Sequence, residues 1–389
     1  MFEIEEVKTQ QARIKVVGVG GAGCNAINNM IASNLQGIEF IAVNTDVQAL
    51  DASLAPIKVQ IGADLTRGLG SGSNPKIGRE AAIGDSALIS EYLEGTDMVF
   101  ITAGMGGGTG TGAAPIIAGI AKELGAITVA VITKPFFYEG KIRCLNAEEG
   151  IEELKKSVDT LIVIPNDKIS LVVEKGTPLI KAFAVANDVL KQAVQGISDI
   201  ILVPGLINVD FADVRTIIED KGRGVMGTGI GKGENGAVEA TKKAISNPLI
   251  EESSIEGAKG ILVNITGGLE LSISDVQEAI SYIHDSASDD VHLIFGAVIN
   301  PDITNEVRVT VIATGFEEQK EKIELPKVNR WSPIKQHVNL RGADRVISKT
   351  LNKSEYNINI VTNDTISYED KLDVPTFLRR SDPLTQKEL

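Results

Sequence analysis

The sequence predicts an α/β protein with a Rossmann-like parallel-sheet domain, a long central helix and a smaller C-terminal α/β domain with a mixed sheet. Three observations lead there. Short, continuous apolar runs alternate with helix-period segments, as strands do when helices cover both faces of a parallel sheet. Glycine-rich turns at 18–23 and 104–112 each follow such a run and open a helix pattern. One amphipathic stretch over 178–202 divides the elements into two groups.

The elements follow in order. Residues 1–12 are polar and read as a flexible N-terminus. Strands are expected at 14–18, 38–43, 98–102, 127–133 and 160–164, with helices at 25–32, 75–93, 112–124 and 145–157 between them. These make up a first domain over 13–177. In the central helix (178–203), Leu179, Phe183, Leu190, Val194, Ile197 and Ile201 recur at three- and four-residue spacing, and Pro204-Gly205 ends it. A second domain (204–316) is expected to hold strands near 223–228, 260–265, 291–300 and 306–313, with helices near 237–246 and 274–285. The pattern then collapses. Residues 317–370 are rich in Lys, Glu, Asn and Ser, which is the composition of a disordered linker spanning roughly 40 Å. A compact amphipathic motif returns in the tail, 371–389.

Composition excludes several classes. The chain has 389 residues, 43% hydrophobic and 23% charged, which is ordinary for a soluble protein. No apolar stretch approaches the ~18–20 residues of a membrane span, and the N-terminus lacks the features of a secretory signal, so a cytoplasmic protein is expected. Cys24 and Cys144 make no disulfide framework. His284, His292 and His337 are too few and too scattered for a histidine metal site or a Ser-His-Asp triad. The net charge is −14, and its negative surplus lies before the linker. Such a body disfavours nucleic acid and anionic membrane surfaces. A phosphorylated ligand would have to be held by local N–H groups and a metal ion.

The chemistry concentrates in the glycine turns. Gly18-Val-Gly20-Gly21-Ala22-Gly23 matches G-x-G-x-x-G. Taken alone, this admits a dinucleotide, another phosphate ligand or a tight packing turn. The second strand ends Asn44-Thr-Asp46, so an acid for a ribose is near, and NAD is not excluded. The second turn runs from Gly104 through Gly106, Gly107, Gly108, Thr109 and Gly110 to Gly112, with no Lys-Ser or Lys-Thr after it, and is not the common P-loop. A dinucleotide domain needs one such turn. Two at neighbouring strand ends suit a multiply charged phosphate chain gripped from both sides by helix N-termini.

Two further segments admit two readings. Asn208-Val-Asp210-Phe-Ala-Asp213 precedes a helix pattern, so Asp210 is either an N-cap with a capping-box-like partner or one of two outward carboxylates. The tail Leu372-Asp-Val-Pro-Thr-Phe-Leu-Arg-Arg380 is either an end with incidental apolar residues or a peptide that folds on a partner.

With Gly20–Asn25, Asn208–Asp213 and the tail motif, the run Gly106-Gly-Gly-Thr-Gly-Thr-Gly112 makes the chain resemble the FtsZ family of bacterial tubulin-like cell-division GTPases over its whole length. The resemblance implies GTP/GDP as ligand with Mg²⁺ held through phosphates and water. Gly20, Gly21, Ala22, Gly23, Cys24 and Asn25, with Gly104, Gly106, Gly107, Gly108, Thr109 and Gly110, would cradle the phosphates. Ala22 and Cys24 stand where glycine also occurs in the family, and their backbones would carry the contact. Asn44 would lie near phosphates and ribose, Glu139 would bind ribose and Arg143 would contact nucleotide. Asn166, Phe183 and Asn187 would surround guanine, although Phe183 also suits core packing, and Glu139 with Arg143 also suits a solvated loop pair.

The resemblance also implies head-to-tail homopolymers. Asp210 and Asp213, with Asn208, would act on the nucleotide of the next subunit, because the central helix is too long for them to reach their own. In the tail, Asp373, Val374, Pro375, Phe377, Leu378, Arg379 and Arg380 would bind membrane-tethering division proteins and assembly regulators, with no nucleic acid and no direct membrane insertion. The expected place is the cytoplasm, at a mid-cell division ring. Two rivals stand beside this reading. One is a nicotinamide-dependent oxidoreductase, which lacks an obvious hydride-transfer constellation here. The other is a structural relative that binds nucleotide without turnover, against which both aspartates count.

Overall fold

A computed structural model describes residues 12–174, 176–203, 205–207, 209–219, 221–233, 235–248, 255–301 and 303–316. The expected linker and tail, with all seven tail residues named above, lie outside this range, as does Asn208.

The chain runs β1 (Ile14–Val19), α1 (Gly20–Ala32), β2 (Ile38–Asn44), α2 (Val47–Asp51), β3 (Ile57–Gln60), α3 (Ala63–Thr66), α4 (Pro75–Gly84), α5 (Ser86–Leu93), β4 (Met98–Gly104), α6 (Thr109–Glu123) and β5 (Ile127–Lys134). A 3₁₀ turn (Phe137–Glu139) leads to α7 (Lys141–Ser157), β6 (Thr160–Pro165), α8 (Asn166–Ile169) and the long α9 (Leu179–Leu202). Then come α10 (Phe211–Ile218), β7 (Gly222–Lys232), α11 (Gly236–Ile245), β8 (Gly260–Gly267), α12 (Ile273–Asp285), β9 (His292–Ile299) and β10 (Glu306–Thr314).

All strands join one sheet in the order β3-β2-β1-β4-β5-β6-β7-β10-β8-β9. From β3 to β7 every pairing is parallel. β10 then runs antiparallel to both β7 and β8, and β8 pairs with β9 in parallel, which is the expected mixed sheet. The parallel and mixed parts meet through a short ladder from Thr160↔Gly222 to Ile162↔Gly224.

Neighbouring residues on each parallel strand belong to different cores, which is why the strands read as unbroken apolar runs. Val16, Phe40, Phe100 and Val129 pack on the face covered by α1, α9 and α10. Val17, Ile41, Ile101 and Ala130 pack on the face covered by α4 to α7. A third core joins α11 and α12 to β8 and β10. In α9, Leu190, Val194 and Ile197 are buried as expected, joined by Ala186, Val189, Ala193 and Ile200.

Several boundaries differ from expectation. α1 starts at Gly20 rather than residue 25, and α6 at Thr109 rather than 112. Helix therefore begins inside the glycine runs, because small residues let its first turn press on the neighbouring strand. α7 begins at Lys141 rather than 145. The helix expected over 75–93 is two, parted at Asp85 (φ −104°, ψ 19°), whose carboxylate accepts the Gly62 N–H at 2.6 Å. β7 extends to Lys232, beyond the expected 228. Its late glycines face α11: a Cβ on Gly229 would lie 2.0 Å from Ala240 O, and one on Gly231 1.9 Å from Gly236 O. There glycine marks a helix seated on a strand, not a turn.

Candidate functional site

The C-terminal ends of the central strands stand level, since Val19 is in register with both Val43 and Ala103. Both glycine turns leave from this edge and interlock. Gly20 has φ +72°, and a Cβ there would lie 2.8 Å from Gly110 N. Likewise, a Cβ on Gly104 would lie 2.5 Å from the Ala22 Cβ, and one on Gly23 2.4 Å from Thr102 O. Two glycines differ. At Gly21 and at Gly107 a Cβ would meet nothing within 4 Å. Protein packing does not require glycine at those two positions, and the open space beside each is available to a ligand.

Neither α1 nor α6 has a side-chain cap or an acid in its first turn. Two sets of unpaired N–H groups and two positive helix ends therefore converge on one edge, which is a site for an anion of more than one charge. Ala22 and Asn25 are exposed there. Cys24 is buried, with Sγ 4.0 Å from Gly18 O, and burial pushes its thiol up to about 11. It is an inert packing residue at neutral pH.

Asn44 is buried at the end of β2, and its side chain serves its own turn. Oδ1 accepts the Thr45 and Asp46 N–H groups at 2.9 and 3.3 Å, and Nδ2 lies 3.9 Å from Cys24 Sγ. The amide thus shapes the edge of the cradle.

A second region adjoins the second glycine turn. Gly106 (φ +96°) lies against Arg143, whose carbonyl oxygen would be 2.6 Å from a Cβ at that glycine. The Arg143 guanidinium pairs with Glu139 at 3.1 Å, and Glu139 also accepts the Phe136 N–H at 2.9 Å. The Phe136 ring stacks on Tyr138 and meets Phe183 edge-on at 5.6 Å. Phe183 is 41% exposed, so core packing does not account for it. Asn187 is one helical turn further on, on the same face of α9. Asn166, at the β6–α8 junction, is 5% exposed, and its Oδ1 is buried with no hydrogen-bond partner. An unpaired buried oxygen of this kind is costly unless a donor arrives. Together these groups offer aromatic faces, a carboxylate, a cation and an open acceptor beside the anion cradle.

The structure keeps Asp210 and Asp213 apart from this constellation. They follow α9, whose 24 residues span about 36 Å. Asp210 holds the N-cap position of α10, yet its side chain makes no capping hydrogen bond. Both carboxylates are exposed. The capping-box reading is therefore set aside.

Comparison with known proteins identifies the family. Residues 13–174 match the family model described as Tubulin/FtsZ family, GTPase domain, and residues 222–317 match that of the FtsZ family, C-terminal domain. An empty FtsZ dimer from M. jannaschii is similar at 44% identity and a TM-score of 0.76, over 79% of this chain and 89% of that one. The chain belongs to the tubulin/FtsZ family. A mutant FtsZ of M. jannaschii in a P1 form is similar at 44% identity and TM-score 0.75, covering 79% of this chain and 92% of that chain. The GTPγS-bound protofilament of CetZ2 from Haloferax volcanii, at 20% identity and TM-score 0.67 over 79% and 94% of the two chains, shares the fold alone. Membership of the FtsZ family carries guanine-nucleotide binding and GTPase activity with it, and removes the oxidoreductase rival.

Sequence reasoning missed part of the cradle of this FtsZ-family chain. The Thr109 hydroxyl is 2.7 Å from that of Thr45 and 3.0 Å from that of Ser71. Asp167 accepts the Phe137 N–H at 3.1 Å and fixes the 3₁₀ turn. The repeated Gly-Ser of 70–73 was a visible signal for the Ser71 segment, whereas nothing local marks Thr45 or Asp167. Exposed apolar side chains include Leu69, Phe137, Tyr138, Ile142 and Ile180, in segments that adjoin the cradle residues in sequence, and Leu206 and Ile207, shortly before the aspartates. Among the described residues no helix is long and apolar enough to cross a membrane.

Proposed function

We propose that this chain binds GTP in the glycine cradle and assembles head to tail into the filaments of a division ring. The cradle of one subunit meets the Asp210–Asp213 end of the next. The observation that carries this reading is the pair of exposed carboxylates that cap nothing, lying beyond the far end of a helix about 36 Å long. They cannot act on their own subunit's nucleotide. A surface that is complementary to a different surface on the same chain makes open filaments, and the exposed apolar groups supply the contact. The dimeric FtsZ of M. jannaschii supports self-association.

In this reading, the N–H groups at Gly20 to Asn25 and Gly104 to Gly110 hold the phosphates, with the Thr109 hydroxyl. Glu139 and Arg143 take the ribose side. Asn166 accepts from the guanine N–H edge, Phe183 covers the base and Asn187 completes the pocket. Asp210 and Asp213 of the adjoining subunit, with Asn208, orient a water against the terminal phosphate. The water oxygen bonds to phosphorus, the bond to GDP breaks, and a carboxylate takes the proton. Mg²⁺ would enter on the phosphates and water. Bound there, it would neutralise developing charge. The domain limits 13–177, 178–203 and 204–316 are proposed with this division of labour. So are a cytoplasmic, mid-cell location, a disordered 317–370 linker and a 371–389 tail that binds membrane-tethering proteins and regulators.

Mixing two defective variants tests the shared site. Asp213→Ala keeps its cradle, and Gly107→Val keeps its aspartates. Each alone should hydrolyse little GTP, and the mixture should regain activity where Asp213→Ala nucleotide meets a Gly107→Val aspartate. A mixture as inactive as its parts would place the whole site within one subunit.

A further inference from the structure

The run from Met105 to Gly112 does not offer all its N–H groups to a ligand. Met105 N–H is taken by Thr133 O at 2.9 Å, and Gly112 N–H by Gly108 O at 3.0 Å. Gly106 N–H also turns to the protein side, donating to Thr111 Oγ1 at 2.8 Å, and both residues are buried. This bond ties Gly106, which holds φ +96°, to the first turn of α6. The Thr111 side chain is itself fixed in place. Its Cγ2 would lie 2.3 Å from a Cβ on Gly150, so its methyl group fills the space that this glycine leaves beside α7. Gly107, Gly108, Thr109 and Gly110 differ. Among the described residues no protein acceptor takes their N–H groups.

One turn cannot aim every N–H group at the same point. A hydroxyl that accepts Gly106 N–H fixes the peptide plane there, and with it the direction in which the next peptides leave. Consecutive N–H groups that lack protein acceptors, and that run into a helix start, are donors for an anion. We propose that Thr111 is a positioning residue. Its hydroxyl withdraws Gly106 N–H from the ligand and thereby aims the N–H groups of Gly107 to Gly110 at phosphate oxygens. Gly106 then serves the cradle by its shape, which admits the Arg143 backbone, and not as a donor. Within the Thr111 side chain the two arms differ in function: the hydroxyl sets the turn, and the methyl group packs. This inference rests on the reading that the glycine run binds phosphate, and it narrows the donors of that run to Gly107 through Gly110.

Amide exchange followed by NMR on the full chain, with its glycines isotope-labelled, nucleotide-free and with GDP, tests it residue by residue. In the wild type, Gly106 should exchange slowly in both states, whereas Gly107, Gly108 and Gly110 should slow only when GDP is added. In Thr111→Val, which keeps the shape and loses the acceptor, Gly106 exchange should quicken about 2- to 12-fold, the worth of one hydrogen bond. The GTP dissociation constant of that variant should rise about fivefold or more, because a buried N–H without an acceptor forces the turn to shift. Thr111→Ser, which keeps the acceptor and loses the methyl group, should unfold at a lower temperature yet bind GTP as the wild type does. A merely packing role would reverse this order, with Thr111→Ser weakening binding at least as much as Thr111→Val, and overturns the inference. So does a wild-type Gly106 amide that GDP slows as much as it slows Gly107, a result that needs no variant. Absence of any GDP effect at Gly107, Gly108 and Gly110 would instead sink the reading of the cradle.

Discussion

Glycines in the cradle do two different jobs, and the difference is measurable. Gly23 is required by packing, because a Cβ there would sit 2.4 Å from the Thr102 carbonyl oxygen. Gly21 faces open space, with nothing within 4 Å of its would-be Cβ. Gly23→Ala is therefore expected to destabilise the fold by about 1–3 kcal/mol. Gly21→Ala should leave the melting temperature unchanged and weaken GTP binding about tenfold or more, as a methyl group enters the ligand's space. Thermal unfolding and a nucleotide titration on both variants check this. A Gly21→Ala protein that binds like the wild type would mean the ligand lies elsewhere.

At the scale of elements, α9 shows what a sequence reveals and what it hides. The periodicity of Leu190, Val194 and Ile197 marked its inner face correctly, and the apolar strands were equally plain. Phe183 carries the same period, yet it is exposed beside Phe136, and no spacing rule separates a core ring from a ligand-facing one. Asp210 reads as an N-cap in sequence, and only the geometry reveals that its side chain caps nothing. The glycine turns were legible as a candidate phosphate site because their composition is local. The hydroxyl row of Thr45, Ser71 and Thr109 was not, since its members come from three separate segments.

The other side of α9 meets β8 and β10 through polar groups, and that also makes a prediction. Asn264 Oδ1 and Arg308 Nε are buried there without partners. Burial pushes the Asp199 carboxyl up to about 6 from 3.8, against the pull of the Gln195 hydrogen bond and the Arg308 charge. A raised folded-state value means the folded chain holds the proton more tightly. The ionised carboxylate therefore costs stability above pH 6, by at most about 3 kcal/mol, and that cost disappears as pH falls from 6 towards 3.8. Asp199→Asn is expected to raise the melting temperature at pH 8, with the gain shrinking steadily below pH 6. An equal gain at pH 8 and pH 4 would show that the carboxylate's charge is not the cause.

For the whole molecule, one continuous sheet and one long helix hold the phosphate cradle and the two aspartates a fixed distance apart. On the proposed reading the active site is completed only by a neighbour, so turnover should follow assembly. GTP would favour the contact, the contact would permit hydrolysis, and GDP would weaken it. The acidic body fits the proposed filament, which would reach the membrane through other proteins and not by its own surface charge. The most direct test is the GTPase rate per molecule as a function of protein concentration, for the wild type and for Asp213→Ala. The account predicts a specific rate near zero at low concentration that climbs past a threshold, and that stays low in Asp213→Ala although GTP is still bound. A rate per molecule that does not change with concentration, or an Asp213→Ala protein as active as the wild type, would contradict it.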